Sequence, residues 1–170
     1  NKATLFYGGE EGLGAYGCIA YLTFIVLLML QGVGDGAQPL ISTYYGKDDF
    51  SSLKKVRKYT YIFSLTIALV SMVIEIKLRW KLGPFMGTSS NTTTIVAKAL
   101  PIFAIAFPLQ GIIRATSSIL YSTEKALRSY LITYSEPIFI LLAIIILCPH
   151  FALDGVWFAF TAGQCALMIM

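Results

Sequence analysis

The sequence predicts an all-α, polytopic bundle of membrane-spanning helices. Of its 170 residues, 56% are hydrophobic and only 13% are charged, and the mean hydropathy is +0.72. An average soluble domain carries about 25% charged residues, and a soluble domain of this size could not bury so much apolar surface. Apolar and polar residues do not alternate along the chain, which argues against the strands of a membrane barrel.

Five apolar segments mark the predicted spans, because a helix needs about 20 apolar residues to cross the hydrocarbon. They cover approximately residues 12–46, 56–76, 93–122, 126–148 and 155–170. Backbone polar groups in hydrocarbon must be paired internally, so each segment is expected to be helical. The sequence opens on Asn1 rather than Met and stops inside an apolar run at Met170. We therefore expect a fragment, with further spans before residue 1.

Basic residues predict the orientation of the spans. The connections 47–58 and 123–128 lie on the same side by alternation, and their lysines and arginines place that side in the cytoplasm. The cluster of Lys77, Arg79 and Lys81 falls on the opposite side and weakens this bias. A nucleic-acid partner is not expected, because the chain has no soluble basic face to hold phosphates.

The sequence carries no pattern typical of an enzyme or a metal centre. His150 is the single histidine, and Cys18, Cys148 and Cys165 form no CxxC pair. HExxH, GxSxG and P-loop motifs are absent. We therefore expect no enzyme and no metal site, and we expect each cysteine to be a small core residue.

A polar stripe on the first helix is the main candidate site. Four side chains recur at i, i+4, i+7 and i+11 and so share one helix face: Gln31, Asp35, Gln38 and Ser42. Such a face is expected to line a water-filled cavity that binds substrate or ion. The alternative is a packing seam against a partner helix, in which the polar groups satisfy one another.

Three ionisable residues, Asp35, Arg114 and Glu136, are expected at membrane depth, where such residues are costly. Arg114 and Glu136 lie about 12 Å and about 15 Å from the cytoplasmic ends of consecutive spans, at 1.5 Å per residue. Since helices joined by a short loop usually pack antiparallel, we expect these two side chains to form an ion pair. Gln110, one turn before Arg114, joins the candidate site. Alternatively, each charge faces water separately.

Glycines and prolines predict contacts and bends in the helices. Gly32 and Gly36, four residues apart, would allow close approach of a neighbouring helix. Proline lacks a backbone N–H and kinks a helix. Four prolines are therefore predicted bends: Pro39, Pro101, Pro108 and Pro137.

One stretch resembles a known transporter family. The run GVGDGAQPLISTYYG, from Gly32 to Gly46, resembles the eighth helix of multidrug and toxic compound extrusion (MATE) transporters. The segment Tyr7–Glu10 resembles the outer loop before that helix, and Gly155–Trp157 resembles the start of the twelfth. The resemblance implies that the chain is a partial C-terminal lobe, with helices eight to twelve of a twelve-helix fold and the last one truncated.

The resemblance also implies a function. Such a protein is a secondary antiporter in a bacterial plasma membrane that exports amphipathic, often cationic compounds in exchange for Na+ or H+, with no other cofactor. Its partners would be the substrate, the lipid bilayer and the missing N-terminal lobe. A flippase for lipid-linked oligosaccharides or peptidoglycan precursors, from the same superfamily, is one alternative. A non-transporting membrane subunit is another.

The sequence departs from the family pattern at two positions. The tenth helix often carries a coupling carboxylate, and the matching region here offers Gln110. The twelfth helix often carries a glutamate where this chain has Gln164. Ion coupling is therefore expected to depend on Asp35, on Glu136 or on the missing lobe.

Overall fold

The computed structural model describes residues 2–169, which form five helices and no strand. These are α1 (Lys2–Gly46), α2 (Phe50–Phe85), α3 (Ser90–Ala104), α4 (Phe107–Ser122) and α5 (Ala126–Ile169). The predicted all-α fold class is confirmed. Asn1 and Met170, the two ends on which the expected fragment boundaries depend, lie outside the described residues.

Two of the helices contain an internal break. Gly9 in α1 and Ala152 in α5 have φ of 60° and 49°, in the region that L side chains rarely adopt. Beyond Ala152 the chain reverses: a Cβ on Gly155 would lie 2.7 Å from the carbonyl oxygen of Leu147. Further on, Gly163 lies directly against Ile140. The two arms of α5, residues 126–151 and 153–169, therefore pack antiparallel.

The predicted span over residues 93–122 consists of two helices. Their axes differ by 45° where α3 ends at Ala104 and α4 begins at Phe107. Pro101 lies near the end of α3 and Pro108 lies in the first turn of α4. Because Pro108 has no N–H to donate to the carbonyl four residues earlier, the α-helical hydrogen bonding is interrupted at the bend that these prolines predict.

Pro39 and Pro137 behave differently. Both lie inside a helix, α1 and α5 respectively, and the backbone angles stay helical around them. The helices therefore continue through both prolines, and the non-helical backbone angles in α1 and α5 lie at Gly9 and Ala152.

Apolar clusters hold the bundle together. The largest surrounds Trp157 and joins α1, α3 and α5, with the ring of Phe103 edge-on to the indole at 5.9 Å. A second cluster packs Leu30 of α1 against Ala68 of α2 and Phe107 of α4. Phe103 and Phe107 thus serve the core, which is the usual role of aromatic residues in apolar helices.

A third cluster identifies which turns share an end of the bundle. Ile41, Leu53 and Ile119 pack together beside the turns that follow α1 and α4. The connections 47–58 and 123–128 therefore begin at the same end, as alternation of spans predicts.

The cysteines divide between core and surface. Cys18 and Cys148 are buried in the largest cluster, whereas Cys165 is exposed. The prediction that every cysteine is a core residue is wrong for Cys165, because its neighbour Gln164 occupies the inward face of that helix turn.

The helices have the lengths that a bilayer requires. Among residues 2–169, α1, α2 and α5 are each long and apolar enough to cross a membrane, and the bent pair α3–α4 supplies a fourth candidate. A straight helix of 44 residues, the length of α5, would extend about 66 Å, roughly twice the hydrocarbon thickness. The reversal at Ala152 resolves this excess by dividing α5 into two passes.

The contact at Gly155 gives a testable prediction. Gly155→Ala forces a Cβ against the Leu147 backbone, so we expect the free energy of unfolding to fall by about 1–3 kcal/mol. Gly17→Ala is the matched control, because a Cβ there meets nothing within 4 Å. A lower midpoint of thermal unfolding in detergent for Gly155→Ala alone is expected; equal midpoints for the two variants would contradict the packing of the α5 arms.

Candidate functional site

Glu136 is the centre of a polar cluster between α4 and the two arms of α5. Its Oε1 accepts hydrogen bonds from Nε2 of Gln110 at 2.7 Å and from Nε2 of Gln164 at 3.0 Å. Its Oε2 accepts from Nη2 of Arg114 at 3.2 Å, which is also an ion pair. The predicted pairing of Arg114 with Glu136 is confirmed. We call these four residues the Glu136 cluster.

The fold brings the Glu136 cluster together from three helical segments. Gln110 and Arg114 lie one turn apart on α4, and Nε of Arg114 donates to Oε1 of Gln110 at 3.3 Å. Glu136 lies on the first arm of α5 and Gln164 on the second. Because the chain reverses at Ala152, the amide of Gln164 can donate to a carboxylate that lies 28 positions earlier in the sequence.

Pairing makes these charges tolerable between helices. Gln110 and Gln164 are fully buried, while the side chains of Arg114 and Glu136 keep 26% and 14% of their exposure. An isolated buried charge is costly, whereas a carboxylate with an ion-pair partner and two amide donors is satisfied. One acceptor, Oε1 of Gln164, is buried without a hydrogen-bond partner among the described residues. The cluster can therefore accept one more donor.

A second polar group lies on α1. Oδ1 of Asp35 accepts hydrogen bonds from Nε2 of Gln31 at 2.8 Å and Nε2 of Gln38 at 3.2 Å. Both donors are neutral amides, and within residues 2–169 the one ion pair is Arg114–Glu136. The charge of Asp35 thus has no cationic partner in the described part of the chain. Its side chain is exposed.

Hydroxyl groups connect α4 to α5 beside the Glu136 cluster. Oγ of Ser129 donates to the carbonyl of Ser117 at 2.9 Å, and the two hydroxyl oxygens lie 2.7 Å apart. Since the Ser129 proton is directed to that carbonyl, Ser117 Oγ donates to Ser129 Oγ. Thr133 lies one turn further along α5 and donates to the carbonyl of Ser129.

A cavity of about 260 Å³ lies between α1, α4 and α5 and adjoins both polar groups. Its walls are formed by eleven residues: Gln31, Gln38, Ile113, Arg114, Ser117, Ser118, Tyr121, Ser129, Ile132, Thr133 and Glu136. Most of these side chains can donate or accept hydrogen bonds, and a roomy polar cavity is where water is expected. The glutamines that donate to Asp35 and the Arg114–Glu136 ion pair therefore face the same cavity.

The predicted polar stripe of α1 serves two roles. Gln31 and Gln38 line the cavity, and Asp35 bonds to both. Ser42 does not line it; its hydroxyl donates to the carbonyl of Ser122 at 3.4 Å. Gln31, Asp35 and Gln38 thus match the cavity interpretation, while Ser42 belongs to a packing seam between α1 and α4.

Within residues 2–169, no helix packs closely against Gly32 or Gly36, since a Cβ at either position would meet nothing within 4 Å. The close approach occurs at Gly34, where a Cβ would lie 3.2 Å from Cβ of Ser118, and Oγ of Ser118 donates to the Gly34 carbonyl at 2.7 Å. Gly34 is the buried glycine of this run because it lies on the face of α1 that contacts α4.

Two further polar residues were missed as site candidates in the sequence. Gln164 appears there only as a departure from a family pattern, and its role depends on the reversal of α5. Glu75 is a further ionisable residue within a predicted span, and it is 7% exposed. Its spacing could have revealed it, because Ser64, Ala68, Ser71 and Glu75 follow one face of α2 at steps of four, three and four.

This architecture defines a class: a multi-pass helical membrane protein with a polar cavity between its helices, as in transporters that bind solutes at membrane depth. The sequence model of the MatE family matches residues 3–146. The chain therefore belongs to the MATE family of transporters, as the resemblance of its first long helix implies. A search of curated protein sequences gives no significant match.

Two solved structures share the fold. One is described as an outward-facing conformation of a multidrug resistance MATE family transporter of the MOP superfamily, with a TM-score of 0.91 and 16% identity. The other is a crystal structure of MATE in complex with MaL6, with a TM-score of 0.90 and 16% identity. The alignments cover 99% of this chain but 38% and 39% of those chains. The chain thus spans about two fifths of the length of these transporters.

The ion pair gives a prediction by charge reversal. Arg114→Glu or Glu136→Arg alone places two like charges together, so we expect each to lower the free energy of unfolding by about 1–3 kcal/mol, less than for a fully buried pair. The double variant restores opposite charges and should recover at least half of that loss. Thermal unfolding in detergent measures this, with the exposed Arg128→Glu as control. If the double variant loses as much free energy of unfolding as the two single variants lose together, the result would contradict the pairing.

Proposed function

We propose that this chain is part of a secondary antiporter that exports amphipathic or cationic small molecules in exchange for Na+ or H+. The observation that supports this most is the cavity between α1, α4 and α5, which carries an uncompensated carboxylate at its edge and a compensated one in its wall. Membership of the MATE family supports the direction and class of transport.

Asp35 is the residue that binds the cation in this proposal. Its hydrogen-bond donors are neutral amides, so its negative charge remains available. Glu136 already has Arg114 as its counter-ion, and a cation would have to displace that guanidinium. A coupling ion and a cationic substrate would then compete for Asp35, and this exclusion is what an antiporter requires.

The Glu136 cluster shapes the neighbouring wall. It fixes α4 and both arms of α5 around a single carboxylate, and Tyr121 adds an aromatic surface to the cavity. Aromatic faces attract organic cations by about 0.5–2 kcal/mol. An amphipathic cation could therefore bind with its charge towards Asp35 and its flat part against this wall.

The flippase alternative receives less support from this geometry. A lipid-linked pyrophosphate needs free cationic side chains within the membrane. The intramembrane arginine of the described chain, Arg114, is engaged by Glu136 at 3.2 Å. A phosphate would have to compete with that carboxylate for the guanidinium.

The orientation and location follow from the same proposal. The connection 47–58 carries Lys47, Lys54, Lys55, Arg57 and Lys58 against two aspartates. The positive-inside bias places this end, together with residues 123–128, in the cytoplasm of a bacterial cell. The cavity would then receive substrate from the cytoplasm through rocking of this lobe against a second one.

Transport by the complete protein in everted membrane vesicles tests the proposal. With ethidium as probe, and with Na+ and pH gradients imposed separately, we expect one gradient to drive accumulation in the vesicles. Asp35→Asn should reduce that ion-driven rate about 10- to 100-fold, because a hydrogen-bonded charge contributes about 1.5–3 kcal/mol. Glu124→Gln in the exposed turn is the matched control. Unchanged transport by Asp35→Asn, or no transport under either gradient, would contradict the proposal.

A further inference from the structure

Glu75 is a buried carboxyl group that the proposed transport site does not use. It lies on the inner face of α2, in line with Ser64, Ala68 and Ser71, and is 7% exposed. The residues on this face pack against α1, α3 and α4. Glu75 is therefore directed into the bundle and does not extend along its surface.

No positive group compensates Glu75 within the described residues. The one ion pair there is Arg114–Glu136, and no hydrogen bond to the Glu75 carboxyl is formed in residues 2–169. On α2, Arg79 lies one turn away with its guanidinium 5.9 Å above the ring of Trp80. On α3 the charged residue is Lys98, which is exposed.

Cys18 on α1 also gives Glu75 no hydrogen bond. Cys18 lies close enough to interact electrostatically with Glu75, but its thiol points to Sδ of Met86 at 3.0 Å. The environment of Glu75 is thus opposite to that of Glu136, which has an arginine and two amide donors.

A groove between α1 and α2 reaches this carboxyl group. It has a volume of about 350 Å³, and its walls are apolar apart from Thr66, Ser71 and Glu75 itself. The hydroxyl of Thr66 donates to the carbonyl of Ile62 at 2.8 Å, so its proton is not directed to Glu75. The groove therefore offers access without offering a counter-charge.

We propose that Glu75 is a proton-binding site, separate from the Glu136 cluster, which holds its proton at neutral pH and is reached through the α1–α2 groove. A carboxylate that is buried without a partner costs more free energy than a neutral carboxylic acid, so the bound proton is retained. Loss of the proton would place an uncompensated negative charge between α1 and α2. The protonation of Glu75 is thereby coupled to the packing of these two helices.

Labelling with dicyclohexylcarbodiimide tests the proposal in the complete, purified protein. This apolar reagent reacts with protonated carboxyl groups: the acid O–H adds across a C=N bond, and the acyl group then migrates to nitrogen, so the whole reagent is retained. Mass spectrometry should find the adduct on the peptide that contains Glu75, with a yield that falls as the pH rises. The Glu75→Gln variant should lose this label, and Glu124→Gln should keep it.

A measurement of stability against pH provides the second test. Because the folded state keeps the proton on Glu75, its contribution to stability is present at low pH and is lost as the pH rises. From about pH 5 to about pH 8, above the unfolded-state pKa of a glutamate near 4.3, the wild-type midpoint of thermal unfolding should fall further than that of Glu75→Gln. The glutamine resembles the protonated acid, so this variant is expected to fold.

Two results would overturn the proposal. One is the absence of carbodiimide label from Glu75 in the folded protein at neutral pH. The other is an identical pH dependence of unfolding in the wild type and Glu75→Gln. Neither experiment measures transport, so the outcome is independent of whether Asp35 binds the transported cation.

Discussion

A polar group inside a bilayer must find its partner within the protein, and the structure of this chain depends on how it meets that constraint at Glu136. The carboxylate accepts hydrogen bonds from Gln110, Arg114 and Gln164, which lie on α4 and on the second arm of α5. Three helical segments are thus joined through one side chain. Removing the acid would leave an arginine and two amides without their acceptor, which is why the cluster acts as a unit.

The three intramembrane acids differ mainly in their partners. Glu136 has a cationic partner and so maintains the architecture. Asp35 has only neutral amides as partners and is the cation-binding residue of the proposed antiporter. Glu75 has no partner in the described residues and is expected to be neutral. The same side-chain chemistry therefore yields three different sites, because each is defined by what the neighbouring helices place around it.

Much of this arrangement could be predicted from the sequence. The apolar composition predicts the helical class, and the similar depths of Arg114 and Glu136 predict their pairing, since depth follows directly from residue number along a helix. The position of Gln164 could not be predicted in this way. The span boundaries at 148 and 155 predict the reversal near Ala152, but the contact with Glu136 also depends on how the two arms of α5 align and rotate against each other.

Packing details were also beyond the sequence. The spacing of Gly32 and Gly36 is typical of a helix contact, but the rotation of α1 directs Gly34 towards α4 instead. Glu75 was missed because it lies at the end of the predicted span 56–76, next to the basic residues Lys77 and Arg79, where a charged side chain is expected to face the membrane surface. Helix rotation and helix ends depend on the neighbouring elements, and a single sequence does not specify these.

The central claim, that the polar groups of α1, α4 and α5 face a water-filled cavity, can be measured by the reactivity of introduced cysteines. In the complete protein with the exposed Cys165 changed to serine, Thr133→Cys lies on the cavity wall, whereas Ile145→Cys lies on the apolar surface. A membrane-impermeant, positively charged methanethiosulfonate reagent should react with the first and leave the second unmodified. An unreactive Thr133→Cys beside a reactive Ile145→Cys would contradict the account.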